Sequence, residues 1–106
     1  MQTQIIEDTK KDKILEAISD RYSRIILEAT MSKPKTAIEI SKEYDIPIST
    51  VYRRLQTLHD GNLLGISGAI SDEGKKFFMY KSKVREVLTS FDGSTVQISV
   101  IPNVQE

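Results

Sequence analysis

Residues 36–64 read TAIEISKEYDIPISTVYRRLQTLHDGNLL, and the fold turns on how this stretch divides. Thr36 offers a hydroxyl at a helix N-cap position, and Glu39 stands three residues on, the spacing of a capping box. A helix follows to about Tyr44, with Ala37, Ile40, Ser41 and Tyr44 facing inward. Asp45-Ile46-Pro47 is a tight turn, because Asp tolerates the left-handed backbone and Pro47 cannot sit inside a helix. The next helix therefore begins at residue 48 or 49 and ends near Asp60, with Gly61 just past its C-terminus. Within it Val51, Leu55 and Leu58 make an apolar stripe at i, i+4, i+7. At about 100° per residue, Ser49, Arg53 and Gln56 point the other way, flanked by Thr50 and Thr57. A solvated helix face usually mixes Glu with Lys, and this one carries no acid until Asp60.

Working upstream, Ile14, Leu15 and Ile18 give residues 10–19 a helical spacing, while residues 1–9 are expected to be poorly ordered. Asp20 is an N-cap for a helix over 21–31, with Tyr22, Ile25, Ile26 and Ala29 as its apolar face. The break after it follows from Pro34, which drives Lys33 out of the α region. Downstream of Gly61 the chemistry changes. LLGIS (63–67) and KKFFMYKS (75–82) are β-prone, with Gly68, Asp72 and Gly74 suited to the turn between them. VREVLTSF (84–91) and TVQISVI (95–101) form a second pair around Asp92-Gly93, a hairpin signal. The fold class expected is α+β, helices first and hairpins after: one domain over 10–83, extended by a C-terminal hairpin over 84–106.

The chain has 106 residues, the size of one domain, and 39% of them are hydrophobic. No apolar run is long enough to span a membrane. MQTQIIEDTKKDK at the N-terminus has no apolar signal-peptide region, and cysteine is absent, so a cytoplasmic protein is expected. Formal net charge is zero, but its distribution is uneven. Residues 1–20 hold three basic against five acidic side chains, residues 33–54 five against three, residues 75–85 five against none, and residues 86–106 none against three. Positive charge is concentrated in the middle of the chain, where a nucleic-acid surface would need it.

Catalysis finds no constellation. There is no Cys/His or Ser/His pair at usable spacing, and the five glycines match no phosphate-binding loop. His59 is the only histidine; at a helix C-terminus it is favoured by the dipole and cannot build a metal site alone. No enzyme activity, metal or cofactor is expected.

Two short helices joined by a tight turn, the second polar on its outward face, describe a helix-turn-helix, and a hairpin directly after it makes a winged helix. The major groove of DNA admits one α-helix, and residues near that helix's N-terminus meet base edges. Ser and Thr donate or accept, Arg reads guanine and Gln reads adenine, which are the side chains at Ser49, Thr50, Arg53 and Gln56.

Residues 36–64 resemble the helix-turn-helix of the ArsR-like winged-helix regulators, especially small archaeal ones. The matches are Thr36-Ala37, Ile40 and Ile46, STVYRRL at 49–55, and Gly61-Asn62-Leu63-Leu64. DRYSRIILEAT (20–30) resembles the preceding helix of such proteins, and FDGSTVQISV (91–100) an extra hairpin some of them carry. The resemblance spans roughly residues 14–101. It implies a homodimeric transcription regulator on a partly palindromic operator, with Ser49, Thr50, Tyr52, Arg53 and Gln56 facing bases. It also implies that Thr36, Arg54 and Thr57 reach phosphate, with Lys75 and Lys76 on the wing. Metal sensing by thiolates does not carry over, since there is no cysteine, and Asp45 replaces the glycine common in the turn. The acidic wing tip, Asp72-Glu73, opposes phosphate. Helix 10–19 and the C-terminal hairpin, with Val96, Ile98 and Val100, are the segments expected to join two copies. The alternative is a winged-helix module that binds protein; it predicts no salt-dependent DNA affinity and no loss on Arg53→Ala.

Overall fold

The helix starts are fixed by the caps the sequence supplies. In the computed structural model, which describes residues 4–6 and 8–104, Asp20 accepts the Ser23 N–H and opens helix α2 (Arg21–Ala29). Thr36 and Glu39 form a reciprocal capping box that opens α3 (Ala37–Tyr44). Asp45, left-handed at φ 53°, closes α3, and α4 (Ile48–Asp60) begins directly after Pro47. Before them runs α1 (Asp8–Ser19).

The C-terminal end of α4 differs in detail from expectation. Gly61 has an ordinary φ of −81°, and the left-handed residue is Asn62, at φ 60°. The N–H groups of Asn62 and Leu63 return to the carbonyls of His59 and Leu58 at 2.9 Å each, a Schellman closure. Leu58 and Leu63 are both buried, the apolar contact that accompanies that motif.

Two small antiparallel sheets follow. Strands β2 (Leu64–Ile70) and β3 (Lys76–Ser82) pair from Leu64↔Ser82 out to Ile70↔Lys76. A single bridge from Lys35 to Tyr80 ties this hairpin to the segment before α3. Strands β4 (Val84–Phe91) and β5 (Val96–Pro102) pair over their length, with a register shift between Val84 and Glu86. The other edge of β5 takes strand β1 (Gln4–Ile5), so this sheet runs β1-β5-β4.

Strand β1 corrects the reading of residues 1–9. Gln4 and Ile5 pair with Val100 and Ser99, Ile6 N donates to the Ile98 carbonyl at 3.0 Å, and α1 starts at Asp8, two residues early. Residues 1–3 and 7 lie outside the described residues. The physical reason is the open edge of β5. A central strand leaves backbone groups on both sides, and the short apolar QII run can satisfy one of them.

One apolar cluster joins helices and hairpins: Ile14, Ala17, Ile26, Leu27, Ile40, Ile46, Val51, Leu55, Leu58, Leu63, Leu64, Val84, Ile98 and Val100 among them. Each such side chain contributes about 1.5–3 kcal/mol by leaving water. Two expected core residues sit elsewhere. Tyr22 is exposed, because α2 turns Ser23, Ile26, Leu27 and Thr30 inward instead; Tyr44 is exposed at the end of α3, with the Lys35 ammonium 5.8 Å from its ring centre.

Candidate nucleic-acid interface

Helix α4 is held by its inner stripe. Val51, Leu55 and Leu58 are 0–3% exposed and pack against α1, α2, α3 and β2. With that face fixed, geometry sends Ser49, Tyr52, Arg53 and Gln56 to solvent, and all four are exposed. Thr50 and Thr57 lie half-buried at the flanks. The Arg53 guanidinium has no intramolecular partner among the described residues. Gln56 Nε2 donates to Asp60 Oδ1 at 2.9 Å, a surface contact that an incoming base edge can replace. The Thr57 hydroxyl donates to the Arg53 carbonyl at 3.2 Å.

Arg54 is placed differently from Arg53. Its Nε lies 2.8 Å from Asp20 Oδ2, and both side chains are more than two-thirds buried. Burial is the largest influence on the Asp20 carboxyl and pushes its pKa up. The Ser23 N–H and the Arg54 guanidinium together outweigh burial, and the group sits below its ordinary value. Arg54 thus joins α4 to the start of α2, and a phosphate would have to compete with that carboxylate.

The N-terminus of α4 is a feature the sequence reading did not single out. Pro47 provides no side-chain cap, and the first turn holds no acid. The N–H groups of Thr50 and Val51 return to the Pro47 carbonyl at 3.0 Å, so those of Ile48 and Ser49, at the positive end of the helix dipole, are the ones open to an outside acceptor. Proline before a helix that lacks Ser, Asp or Asn at the cap is the signal that pointed there. Across the turn, the Thr36 oxygen accepts the Glu39 N–H at 3.1 Å, which leaves its hydroxyl proton to donate. The Thr36 N–H holds the Glu39 carboxylate, which burial opposes only in part, and its pKa is lowered.

Burial, and then the Tyr52 phenol, raises the pKa of Tyr80 on β3. On the face that begins with the buried pair Leu64 and Ser82, the hairpin carries Ile66, Tyr80, Phe78 and Ile70, and the last is 74% exposed. Lys75 and Lys76 are exposed at the far end, with the Lys76 ammonium 5.4 Å from the Phe78 ring centre. Six residue steps separate Ser82 from Lys76, about 20 Å of strand. The structure thus gathers the α4 residues on one helix face and sets the lysines apart on the hairpin. Asp72 and Glu73 form the tip, in a turn closed by Gly74 at φ 82°.

Among the described residues no group of three His, Cys, Asp or Glu side chains is assembled to hold a metal ion, and no helix is long and apolar enough to cross a membrane. No protein-family model and no curated protein matches the chain.

Proposed function

We propose that the chain is a winged helix-turn-helix regulator that binds duplex DNA in a sequence-specific way, with α4 in the major groove. One observation carries the reading. The solvent face of α4 presents a hydroxyl, a phenol, a guanidinium without a partner among the described residues, and an amide, with no carboxylate before Asp60, on a helix anchored by four neighbours. That set donates to and accepts from base edges, and a braced helix holds it in register. The uncapped N-terminus of α4 favours an adjacent phosphate. The Lys35–Tyr80 bridge supports calling β2–β3 a wing, since it sets the hairpin beside the helix pair.

In this reading Ser49, Thr50, Arg53 and Gln56 meet bases, and Tyr52 meets the sugar-phosphate edge or a base. Thr36, Lys75 and Lys76 donate to phosphates, and Thr57 does so by exchanging its bond to the Arg53 carbonyl for one to a phosphate oxygen. Arg54 acts by holding α4 rather than by touching DNA.

A homodimer belongs to the same proposal, because one small domain reads few base pairs and two-fold half-sites double the contact. Helix α1 turns Ile14 and Ala17 into its own core and exposes Thr9, Lys10, Asp12, Lys13 and Glu16, a polar face. Ile98 and Val100, expected to join two copies, are buried in this chain's own core with Val96 packed against it, because β5 is the central strand of its sheet. The second hairpin offers Leu88 and Phe91 instead, exposed at 50% and 69%, and is the better partner surface. The exposed apolar row Ile66, Phe78 and Ile70 favours a second reading, a module that docks on protein.

Selection from a random duplex pool at two salt concentrations separates these. An enriched two-fold motif with half-sites about one helical turn apart supports the regulator. Steeply salt-dependent binding without enrichment means a non-specific binder, and no binding favours the protein-docking module.

A further inference from the structure

Where α1, the C-terminal cap of α4 and the strands β4 and β5 meet, the surface dips into a pit of about 470 Å³. Its floor is apolar: Ile14, Leu63, Val84 and Val100 line it, and all four are buried. Lys10 on α1 and Lys83 between β3 and β4 line it as well, and among the described residues no carboxylate does. Lys83 Nζ is held on Asn62 Oδ1 at 2.9 Å, which ties one cation to another lining residue. Lys10 has no hydrogen bond or ion pair among the described residues. The last carbonyls of α4 are engaged by the N–H groups of Gly61, Asn62 and Leu63.

The volume lies within the range of small-molecule sites, about 300–1,000 Å³. An apolar floor and two lysines, with no carboxylate among the described lining residues, ask for a ligand with the matching division, an apolar body and one negative charge. We propose that this pit binds a small organic monocarboxylate of about the size of phenylacetate, its ring on Ile14, Leu63 and Val100 and its carboxylate between Lys10 and Lys83. None of the lining residues belongs to the outward face of α4, so the site stands or falls independently of DNA binding.

The test is a titration of the full ¹⁵N-labelled chain with sodium phenylacetate, followed by amide NMR, beside the neutral isostere phenylacetamide. Saturable shifts are expected at Gly61, Asn62, Leu63 and Val100, with phenylacetate about fivefold tighter than the amide, the scale of exposed ion pairing. Lys83→Gln disturbs the contact to Asn62, so Lys10→Gln, at an exposed and unpaired position, is measured with it. Each should shrink the preference for the carboxylate, and the double variant should abolish it. Equal affinity for the two compounds, an unchanged preference in Lys10→Gln, or no saturable shift at these amides would overturn the proposal.

Discussion

Asp20 serves two helices with one oxygen: its Oδ2 accepts the Ser23 N–H at 2.8 Å, capping α2, and the Arg54 Nε–H at 2.8 Å, holding α4. Replacement separates the two roles. Asp20→Ala removes both and should cost about 1–2 kcal/mol. Asn also caps, so Asp20→Asn loses only the ionic part and should cost about 0.5–1 kcal/mol. The folded-state pKa of Asp20 is depressed, so its stabilisation is complete above the ordinary carboxylate value. It is lost as pH falls from about 4 through the lower folded value. Urea unfolding at a series of pH values from 7 to 3 should show a shallower acid loss in Asp20→Asn than in the parent. Parallel curves would mean that the carboxylate does not sense Arg54.

Arg53 and Arg54 are neighbours in sequence with different surroundings: Arg53 is exposed, and Arg54 is held on Asp20. Arg53→Ala should leave the melting temperature unchanged and relax one position of the selected DNA motif, by about 1–3 kcal/mol. Arg54→Ala leaves a partly buried Asp20 without its cation and should lower stability by about 1 kcal/mol. It should weaken all DNA sequences alike, through a looser α4. Anisotropy with matched and mismatched duplexes, beside thermal unfolding, distinguishes the two. A sequence-selective loss in Arg54→Ala would mean that this residue, expected at phosphate, reads bases instead.

Two non-glycine residues hold the left-handed backbone that closes a helix: Asp45 at φ 53° and Asn62 at φ 60°. Ala at either site keeps the strain and loses the polar side chain that eases it, so Asp45→Ala and Asn62→Ala should each cost about 1 kcal/mol. Glycine removes the strain, so Asp45→Gly and Asn62→Gly should fall within about 0.5 kcal/mol of the parent, since relief of strain offsets the added freedom of the unfolded chain. Denaturant midpoints of the four variants decide this. Equal losses for Ala and Gly would show that the side chains, not the backbone angle, carry the effect.

The helix pair α3–α4 was legible because its signals are local. Thr36 with Glu39, Asp45 before Pro47, and the stripe Val51-Leu55-Leu58 each act within a few residues, and all lie where the sequence puts them. Both hairpins were legible from their turns. What escaped was set by distant partners. Gln4 and Ile5 become a strand only because β5 has a free edge some 95 residues on. Nothing near Arg54 announces Asp20, 34 residues away. Ser23 was passed over because a serine reads as surface, yet the tilt of α2 buries it completely. The outward set on α4 was readable for a simple reason: once three residues of a helix are anchored, the opposite face is determined.

Asn103 closes another of these long-range contacts. Its Nδ2 donates to the Met31 carbonyl at 2.9 Å and to the Ser82 carbonyl at 3.0 Å, while the Ser82 N–H donates to the Thr30 carbonyl at 3.1 Å. One amide thereby pins the end of β5 and the end of β3 to the end of α2. Asn103→Ala removes the donor from two partly buried carbonyls and should cost about 1–2 kcal/mol. Asn103→Asp is the sharper probe. At neutral pH the substituted carboxylate faces two carbonyl oxygens without a proton to share, so the loss should exceed that of the alanine variant. The same surroundings raise its folded-state pKa, so stability returns as pH falls and the protonated acid donates, the reverse of the trend at Asp20. Unfolding midpoints at pH 7 and pH 4.5, read against Asn103→Ala, check the sign. An Asn103→Asp variant no worse than alanine at neutral pH would mean that solvent, not this amide, satisfies the two carbonyls.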